Sequence, residues 1–509
     1  RRFGRSLEDP ARLRAGVTVT LERELDRGHC WTHRAQTIDN AVRLLEMGVI
    51  DQHTRVSTAV EELLVPRKLI FHQIEDREAL ALRDIYEQEC RIAEVVERRA
   101  SLSNMHFADQ SIDNLISGDL NKGQEAAVRA ALEQNIVVIV GKAGSGKTHI
   151  VREIARLYEE RNRRVALVAP TGKAARRLEE MARRPASTIH RFLGREDDSS
   201  LKKFEHFELT DVEKDALRIA PETAGVVIVD ETSMVDVPLM HRLFSRLGSR
   251  TSLVLVGDEN QLPSVGPGAV LRDLVWRRPC RIAVLDEVVR QAGQLKENAV
   301  AVLDGIVNDT VASEPFGKTP WWLCDTSDDP EQARELSENL WARVLPEDFS
   351  FDFLRDVQVI TPTKKGPLGT IWLNARLQEV TQRGFGVEVK PAILSEEISG
   401  GGDEEEDNVE LLPTKFYERD RVIHTKNNYH LGVMNGDLGF VVEVDQKNGN
   451  VSVAYEDRIV VYTSQTIAEL QLAYALTAHK YQGSQIPCAI VVVTRSMLCT
   501  KNWLYTAVT

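Results

Sequence analysis

The feature that most constrains the fold of this chain is a glycine-rich bend between a run of β-forming residues and a helix-forming stretch. Residues 137–151 have the sequence VVIVGKAGSGKTHIV. Glycines at this spacing let successive backbone N–H groups point inward and cradle phosphate oxygens, and the helix that begins at about Lys147 adds the positive end of its dipole. The pattern G-x-x-x-x-G-K-[ST] is that of a P-loop, and a plain glycine turn is the disfavoured alternative. We therefore predict a nucleoside triphosphate site formed by Gly141, Lys142, Ala143, Gly144, Ser145, Gly146, Lys147 and Thr148.

The chemistry of this site is expected to need a metal ion and a base. We expect Lys147 to reach the β- and γ-phosphates and the Thr148 hydroxyl to ligate Mg²⁺. Further along, VVIVDETSM ends an apolar run with Asp230 and Glu231. Carboxylates at the carboxyl end of a parallel strand face the ligand crevice, so Asp230 is predicted to hold the metal and Glu231 to activate the attacking water. The alternative is a solvent-exposed acidic turn.

Two other polar residues are weaker candidates. Gln261 follows the β-run SLVLVGD, and its amide could sense the γ-phosphate. Arg290, in DEVVRQ, could act from a neighbouring domain as an arginine finger. A lone Arg is ordinarily a surface residue, and spacing alone would not have selected it.

Composition limits the class of protein. A chain of 509 residues predicts three or four domains. No stretch reaches eighteen apolar residues, so we expect no membrane span. Six cysteines without a C-x-x-C pair suit a reducing compartment, and we expect a cytoplasmic protein. The chain begins without Met and ends at LYTAVT, so both ends are expected to be cut.

The charge distribution gives only a weak signal for nucleic acid. The net charge of −13 argues against a general nucleic-acid coat. Basic residues nevertheless concentrate between positions 161 and 184, while SGGGDEEEDN at 399–408 is expected to form an acidic surface loop. A basic helix face is more often only a solvated face.

Apolar periodicity divides the chain into three regions. Residues 1–118 are predicted to be helical from the spacing of Leu80, Leu82, Ile85, Ile92 and Val95, and the nearby pair of His29 and His33 around Cys30 lacks the second ligand pair of a zinc site. From 119 onward, β-rich runs alternate with helical stretches, which is typical of parallel sheets with crossover helices.

Two α/β domains are the economical interpretation of this alternation. The first is predicted over 119–285 and the second over 286–509, with RIAVLDE at 281–287 opening the second series of strands. Short alternating runs with Asn–Gly turn signals predict a small β-barrel at about 411–465, inserted into the second domain.

Nine motifs in order show a resemblance to the RecD-like branch of superfamily 1 DNA helicases. They are LNKGQEAAV, GKAGSGKT, APTGKAARRL, TIHRFL, IVDETSMVD, GDENQLPSVGPG, VVRQ, TAHKYQGS and LYTAVT. The resemblance covers about 119–509, and the helical region before it is similar to that of longer RecD-like helicases. It implies two RecA-like P-loop domains and an ATP-dependent, Mg²⁺-dependent motor that moves 5′ to 3′ on single-stranded DNA and unwinds duplex in repair or recombination.

The resemblance also assigns site residues. It implies that Gln124 contacts adenine, that Lys147, Glu231, Gln261 and Arg290 act in hydrolysis, and that Gln482 and Gly483 couple the DNA grip to the nucleotide. The partners that the resemblance implies are single-stranded DNA and duplex junctions. It implies no membrane, and it leaves protein partners open. The implied DNA contacts are Thr171, Gly172, Lys173, His190, Asn428, Thr477, His479 and Lys480.

The chain departs from the family pattern at several points. Tyr481 stands where Ser is common, and Gln485 stands where Glu is common. Residues 195–224 are longer than expected before the acidic motif, and the strand-splitting hairpin should lie there. The last motif normally continues with an Arg beyond LYTAVT.

Other functions remain open from the sequence. The chain could be the motor subunit of an exonuclease complex, which the helical N-terminal region disfavours. It could be a conjugative relaxase–helicase, which the missing His-rich triad disfavours. From another class, it could be a nucleotide-dependent DNA-binding switch without motor activity, which Glu231 disfavours.

Overall fold

The computed structural model describes residues 7–46, 48, 50–74, 76–107, 112, 115–194, 219–286, 293–307, 321–326, 329–387, 389, 415–426, 428, 431–445, 447–455 and 458–509. Among the sequence predictions, Arg290 and the acidic loop at 399–408 lie outside the described residues, and so do residues 195–218 of the stretch 195–224 in which the hairpin was expected. The helices are Pro10–Asp26, Arg34–Leu45, Gln52–Leu64, Arg83–Ala100, Lys122–Glu133, Lys147–Glu159, Gly172–Ala182, Ile189–Leu193, Val237–Arg246, Val270–Arg277, Gly293–Leu303, Pro330–Asn339, Leu345–Phe349, Thr370–Gly384, Ala478–Tyr481 and Lys501–Val508.

The described strands form four sheets. In chain order they are β1 Thr32–His33, β2 Leu69–Ile74, β3 Arg77–Leu82, β4 Ile136–Gly141, β5 Val165–Ala169, β6 Ala186–Thr188, β7 Val226–Val229, β8 Ser252–Gly257, β9 Arg281–Leu285, β10 Val357–Thr361, β11 Arg421–His424, β12 Leu438–Asp445, β13 Asn450–Ala454, β14 Ile459–Tyr462, β15 Leu470–Leu472, β16 Ala475–Thr477 and β17 Cys488–Val491.

The largest sheet has six parallel strands in the order β6-β5-β7-β8-β4-β9. Its central strands β4, β7 and β8 are buried along their whole length, as expected when helices cover both faces of a parallel sheet. Separate apolar clusters pack on the two faces, one including Val138 and Leu255 and the other including Ile139 and Val256. This sheet confirms the prediction of an α/β fold with a parallel sheet.

The run at 281–287 does not open the second series of strands. Its residues Arg281–Leu285 form β9, which pairs in parallel with β4 at the edge of the six-stranded sheet. Sequence order alone could not decide this, since an apolar run at a domain boundary can extend either sheet.

The N-terminal region was predicted to be helical, and its described part also contains a small antiparallel sheet in the order β1-β3-β2. Leu80 and Leu82, which were assigned to a helix, lie on β3, and the helix begins at Arg83. The prediction was wrong at this point because Ala and Leu favour helices and because β2 is largely exposed, so its sequence lacks the alternation of a half-buried strand.

A buried arginine joins this region to the six-stranded sheet. Arg99, near the end of helix Arg83–Ala100, donates hydrogen bonds to the Thr251 carbonyl and to the Gly248 carbonyl at 2.9 Å. It also donates to Asn135 Oδ1 at 3.1 Å. Burial lowers the pKa of Arg99 to about 10, and the three oxygen acceptors compensate the buried cation.

The second α/β unit is smaller. Its described sheet has three parallel strands in the order β16-β10-β17. Between β10 and β16 the chain forms a five-stranded antiparallel sheet in the order β14-β13-β12-β11-β15, with a bulge between Val441 and Glu443. Among the described residues β14 and β15 remain the two edges of this sheet, and closure into a barrel stays a prediction.

No described helix combines the length and the apolar character that crossing a membrane requires.

Candidate nucleotide site and nucleic-acid interface

Residues 141–148, here called the phosphate loop, connect the buried strand β4 to helix Lys147–Glu159. Gly144 and Gly146 have φ angles of 79° and 85°, in the left-handed region that only glycine adopts without strain. A Cβ atom on Gly141 would collide with the Ser145 hydroxyl, and one on Gly146 would collide with the Gln124 amide. The glycines are therefore required by the curl of the loop and by its close neighbours.

The Lys147 ammonium lies inside this curl. It donates hydrogen bonds to the Gly141 carbonyl at 2.5 Å and to the Lys142 carbonyl at 3.1 Å. The Ser145 hydroxyl is buried and has no hydrogen-bond partner among the described residues. A cation and an unpartnered buried hydroxyl on a glycine-rich loop fit an anion such as a nucleotide phosphate.

Gln124 contacts the backbone of the phosphate loop. Its side chain forms a capping box with Asn121 at the start of helix Lys122–Glu133, and its amide donates to the Ser145 carbonyl at 3.3 Å. Gln124 is buried. The structure thus brings the residue expected to contact adenine to the loop, with its side chain engaged by the loop itself.

Asp230 and Glu231 follow the end of β7, on the same edge of the sheet as the phosphate loop. The Glu231 amide donates to Asp230 Oδ1 at 2.9 Å, and Glu231 is held in the left-handed region with φ of 49°. Such a conformation costs about 1–3 kcal/mol and persists where surrounding contacts impose it.

The electrostatics of this pair suit a proton acceptor. Burial, followed by the charge of Asp230, raises the pKa of Glu231 to about 7, whereas Lys147 and Arg177 lower it. Burial also raises the pKa of Asp230. A carboxyl group whose pKa lies near neutrality is well matched to general base catalysis.

Hydroxyl and carboxylate oxygens are the ligands that Mg²⁺ prefers. Thr148 and Asp230 provide one of each at this edge, and the Thr148 hydroxyl donates to the weakly accepting Met181 sulfur at 4.0 Å. The donor set therefore fits a magnesium ion. Among the described residues no cluster of three His, Cys, Asp or Glu side chains could hold a metal by itself.

Residues of the second α/β unit reach the same edge. Gln482 donates hydrogen bonds to Gln261 Oε1 and to the Leu262 carbonyl, both at 3.3 Å. Gly483 has φ of 77°, and a Cβ atom there would lie 3.6 Å from the Ala174 side chain. The structure thus joins Gln482 to Gln261, while Arg290 is outside the described residues.

The sequence interpretation missed a second set of inter-unit contacts, made by helix Lys501–Val508. Tyr505 donates to Asp258 Oδ2 at 2.6 Å and accepts from the Ala143 amide at 3.1 Å. Asn502 donates to the Asn260 carbonyl at 2.7 Å. The available signal was Asp258 at the end of β8, since polar residues at the carboxyl ends of parallel strands line the ligand crevice.

The predicted nucleic-acid residues of the first unit lie around helix Gly172–Ala182. The Thr171 hydroxyl caps this helix by accepting from the Ala174 amide at 3.2 Å. A Cβ atom on Gly172 would lie 3.0 Å from Met434, in the connection between β11 and β12. The Lys173 ammonium lies 4.9 Å from the centre of the Tyr481 ring.

The remaining predicted contacts are more dispersed. His190 is exposed on helix Ile189–Leu193, and Thr477 is buried at the end of β16. His479 and Lys480 lie on the short helix Ala478–Tyr481, and the Lys480 ammonium donates to Gln471 at 2.7 Å. We define the nucleic-acid face as the eight predicted DNA contacts, Thr171, Gly172, Lys173, His190, Asn428, Thr477, His479 and Lys480.

A third lysine, Lys364, which the sequence interpretation missed, lies beside this face. Burial and then the charge of Lys364 lower the pKa of both His479 and Lys480. Lys364 follows the end of β10, so its position after a parallel strand was the available signal. Positive charges gathered in this way attract a phosphate backbone.

Asn428 organises its own loop. Its backbone pairs with that of Val433 at 2.8 and 3.0 Å, and its side chain donates to Glu469 Oε2 at 2.8 Å. The structure therefore gives Asn428 a structural role in the turn that carries Met434 towards Gly172.

Three family models match this chain. A model described as an AAA domain matches residues 119–312, one described as the ATP-dependent RecD-like DNA helicase SH3 domain matches 394–455, and one described as the UvrD-like helicase C-terminal domain matches 472–509. The second of these coincides with much of the region that forms the antiparallel sheet.

Curated relatives extend the match. The ATP-dependent RecD2 DNA helicase of Deinococcus radiodurans is 29% identical over 531 residues, which cover 99% of this chain and 65% of that protein. The RecBCD enzyme subunit RecD of Mycolicibacterium smegmatis is 30% identical over 419 residues, which cover 76% of this chain and 68% of that protein. The chain thus spans about two thirds of the length of these relatives.

A solved structure of Pif1 helicase from Bacteroides in complex with ADP-AlF3 and ssDNA is 19% identical, covers 77% of this chain and 90% of its own, and has a TM-score of 0.41. That likeness is too distant to support a conclusion. The RecD subunit of Mycolicibacterium smegmatis is 30% identical over 68% of its length, and the ordered motifs of the sequence are those of the same family. This chain therefore belongs to the RecD-like DNA helicase family.

Proposed function

We propose that this chain is an ATP-dependent DNA helicase or translocase that moves 5′ to 3′ on single-stranded DNA and couples ATP hydrolysis to duplex unwinding in DNA repair or recombination. The observation that carries the proposal is the meeting of both α/β units at one strand edge. Gln482 of the second unit contacts Gln261 of the first, beside the edge that holds Lys147 and Glu231. Hydrolysis at such a junction changes the relative position of the two units, which a motor requires.

The proposed chemistry is in-line hydrolysis of the γ-phosphate. Lys147 neutralises charge on the β- and γ-phosphates, and Glu231 takes a proton from the attacking water. Thr148 and Asp230 hold Mg²⁺, which supplies charge neutralisation on the phosphate oxygens when bound. The raised pKa of Glu231, caused by burial and by Asp230, supports its assignment as the base.

Five other residues complete the proposed nucleotide site. Gln261 and Arg290 contact the γ-phosphate, Gln124 contacts adenine, and Gln482 with Gly483 transmits the nucleotide state to the DNA grip. The contact between Gln482 and Gln261 supports the coupling role of Gln482. The proximity of Gln124 to the phosphate loop supports its contact with adenine.

We further propose that single-stranded DNA and duplex junctions bind along the nucleic-acid face. Backbone phosphates are contacted through Thr171, Lys173, His479 and Lys480, with little dependence on base sequence. The cluster of Lys364 with His479 and Lys480 supports this proposal, because burial and then the charge of Lys364 lower the pKa of His479 and of Lys480, and a bound phosphate would favour their protonated forms.

The proposed domain organisation follows the same division. A mainly helical N-terminal region spans 1–118, a first RecA-like motor domain spans 119–285, and a second spans 286–509 with a small β-barrel inserted at about 411–465. The match of 394–455 to a helicase SH3 domain supports the insertion.

A second candidate is the motor subunit of an exonuclease complex, because the relative at 30% identity is the RecD subunit of RecBCD enzyme. The free-standing helicase is favoured by the extent of the matches: the RecD2 relative covers 99% of this chain and the RecD subunit 76%. The non-motor switch is a third alternative.

DNA-stimulated ATP turnover by the purified chain tests the proposal, followed by separation of a duplex carrying a 5′ single-stranded tail. A duplex with a 3′ tail is the matched control for direction. Turnover that ignores DNA would contradict the motor and favour the switch. Turnover without strand separation, which a partner restores, would favour the exonuclease subunit.

A further inference from the structure

The face of helix Lys501–Val508 that meets the first α/β unit carries a tyrosine without an assigned role. Asn502, Tyr505 and Thr506 are spaced i, i+3 and i+4 and therefore share one side of the helix. Each forms a hydrogen bond to the first unit, Thr506 by accepting from the Leu262 amide at 2.8 Å. Of these three side chains, only Tyr505 touches the phosphate loop.

The Tyr505 hydroxyl is matched to its two partners. Its proton is donated to Asp258 Oδ2 at 2.6 Å, and its lone pair accepts the Ala143 amide at 3.1 Å. A phenol has one proton to donate and lone pairs to accept, so both contacts can form at once. We call this arrangement the Tyr505 bridge. Tyr505 is completely buried, so the bridge is shielded from water.

The partners of the bridge are themselves parts of the nucleotide edge. Ala143 belongs to the phosphate loop, whose backbone amides are the groups that bind phosphate oxygens. Asp258 ends β8, between β7 with its following acidic pair and β4 with the phosphate loop, and its charge contributes to raising the pKa of Glu231. The hydroxyl therefore holds one loop amide in the way that a phosphate oxygen would.

We propose that Tyr505 is a positioning residue whose hydroxyl competes with nucleotide phosphate for the Ala143 amide. Nucleotide binding then releases helix Lys501–Val508 from the phosphate loop. This inference rests on the proposed function, and it adds a specific residue through which the second unit senses the loop. When phosphate takes the amide, Tyr505 keeps Asp258 as its partner and loses its hold on the loop. The helix then stays tied to the first unit through Asn502, Thr506 and the contact of Tyr505 with Asp258.

The test is equilibrium binding of a fluorescent ADP analogue, mant-ADP, to wild type and Tyr505→Phe. Phenylalanine keeps the ring and removes only the hydroxyl, so the analogue no longer has a competitor for the amide. We expect the dissociation constant to fall by about fivefold, the effect of one net hydrogen bond. A tyrosine with a purely structural role would leave the affinity unchanged or weaken it.

Thr506→Val is the matched control, because it removes a hydrogen bond of the same helix to the first unit without touching the phosphate loop. Its affinity for mant-ADP should equal that of wild type. Equal tightening in both variants, or no tightening in Tyr505→Phe, would overturn the proposal.

Two further measurements separate the possible failures. Thermal unfolding monitored by circular dichroism shows whether Tyr505→Phe folds, and if it does not, Asp258→Asn replaces it, since a weaker acceptor loosens the same bridge. Asp258→Asn should also tighten mant-ADP binding, and unchanged affinity there counts against the bridge. If wild type binds no mant-ADP, the proposed nucleotide site is wrong. If wild type binds mant-ADP and Tyr505→Phe binds it with the same affinity, only the proposed role of Tyr505 is wrong.

Discussion

Around the phosphate loop, backbone atoms hold the functional side chains, whereas the two lysines of the nucleic-acid face contact other side chains. Lys147 contacts two loop carbonyls, and Asp230 contacts the Glu231 amide. On the nucleic-acid face, by contrast, Lys173 lies over the Tyr481 ring and Lys480 contacts Gln471. The first region is fixed by the path of the chain, and the second by contacts between separate sheets.

This difference predicts how each region responds to substitution. A side chain held by backbone atoms in a preorganised site has no substitute nearby, so its loss removes a whole contribution to catalysis. A cation on a face that grips a phosphate backbone is one of several, and each contributes a small part of the affinity. Large effects are expected at the phosphate loop and small ones at the face.

The largest effect is expected for Glu231→Gln. The amide can position water but cannot take its proton, so turnover of ATP should fall by about 10²–10⁴-fold while binding of Mg-ATP persists. Steady-state hydrolysis and nucleotide binding measure the two properties separately. Glu259→Gln is the control, since burial also raises the pKa of that nearby carboxyl, and its turnover should remain close to that of wild type. Unchanged turnover in Glu231→Gln would leave Glu231 with a structural role only.

Lys147→Ala should come next. Its ammonium is the main point charge inside the loop, and removing one preorganised group that stabilises developing charge costs about 10²–10³-fold in rate. Binding of single-stranded DNA should be retained, because the nucleic-acid face is untouched. Arg152→Ala, an exposed position on the same helix, controls for a general loss of positive charge. DNA-stimulated turnover near the wild-type rate would contradict the assignment of the phosphate loop.

Gln482 lies between the two regions and should give an intermediate effect. Gln482→Ala removes two hydrogen bonds to the first unit, so we expect the stimulation of turnover by DNA to fall by about tenfold, with little change in turnover without DNA. Gln485→Ala, an exposed neighbour, is the control. An equal loss with and without DNA would assign Gln482 to hydrolysis rather than to coupling.

The same contrast explains how far the sequence could predict the molecule. The six-stranded sheet and its phosphate loop were predictable, because continuous apolar runs such as those of β4 and β7 and left-handed glycines such as Gly144 are local properties. The small sheet of the N-terminal region was missed because β2 is largely exposed and β3 is rich in Ala and Leu. Its strands are stabilised by neighbours, and local preference does not reveal them.

Contacts between units were the least predictable part of the candidate site. Asn428 was named for DNA, and its side chain donates a hydrogen bond to Glu469, directly before β15. Lys364 was not named, although its charge reaches His479 and Lys480. Tyr505 occurs in a motif that was quoted, yet nothing local relates it to Ala143, which precedes it by most of the chain. Such pairs are set by the packing of separate sheets, which periodicity does not encode.

The smallest effect is expected for Lys173→Ala, and it is the sharpest test of the comparison. If the nucleic-acid face binds DNA, the Lys173 ammonium leaves the Tyr481 ring and contacts a DNA phosphate. Because the variant lacks this contact, DNA binding should release one counterion fewer from it than from wild type. Each contact to single-stranded nucleic acid contributes about 0.7 to the slope of log affinity against log salt. Between 50 and 200 mM salt, wild type should therefore lose about threefold more affinity than Lys173→Ala. Arg184→Ala is the matched control, because Arg184 is held by Glu159 at 2.9 Å and should leave the slope unchanged. Identical slopes for wild type and Lys173→Ala would mean that Tyr481 keeps the lysine in the presence of DNA, and that the ring standing where the family commonly has Ser has removed one phosphate contact from this face.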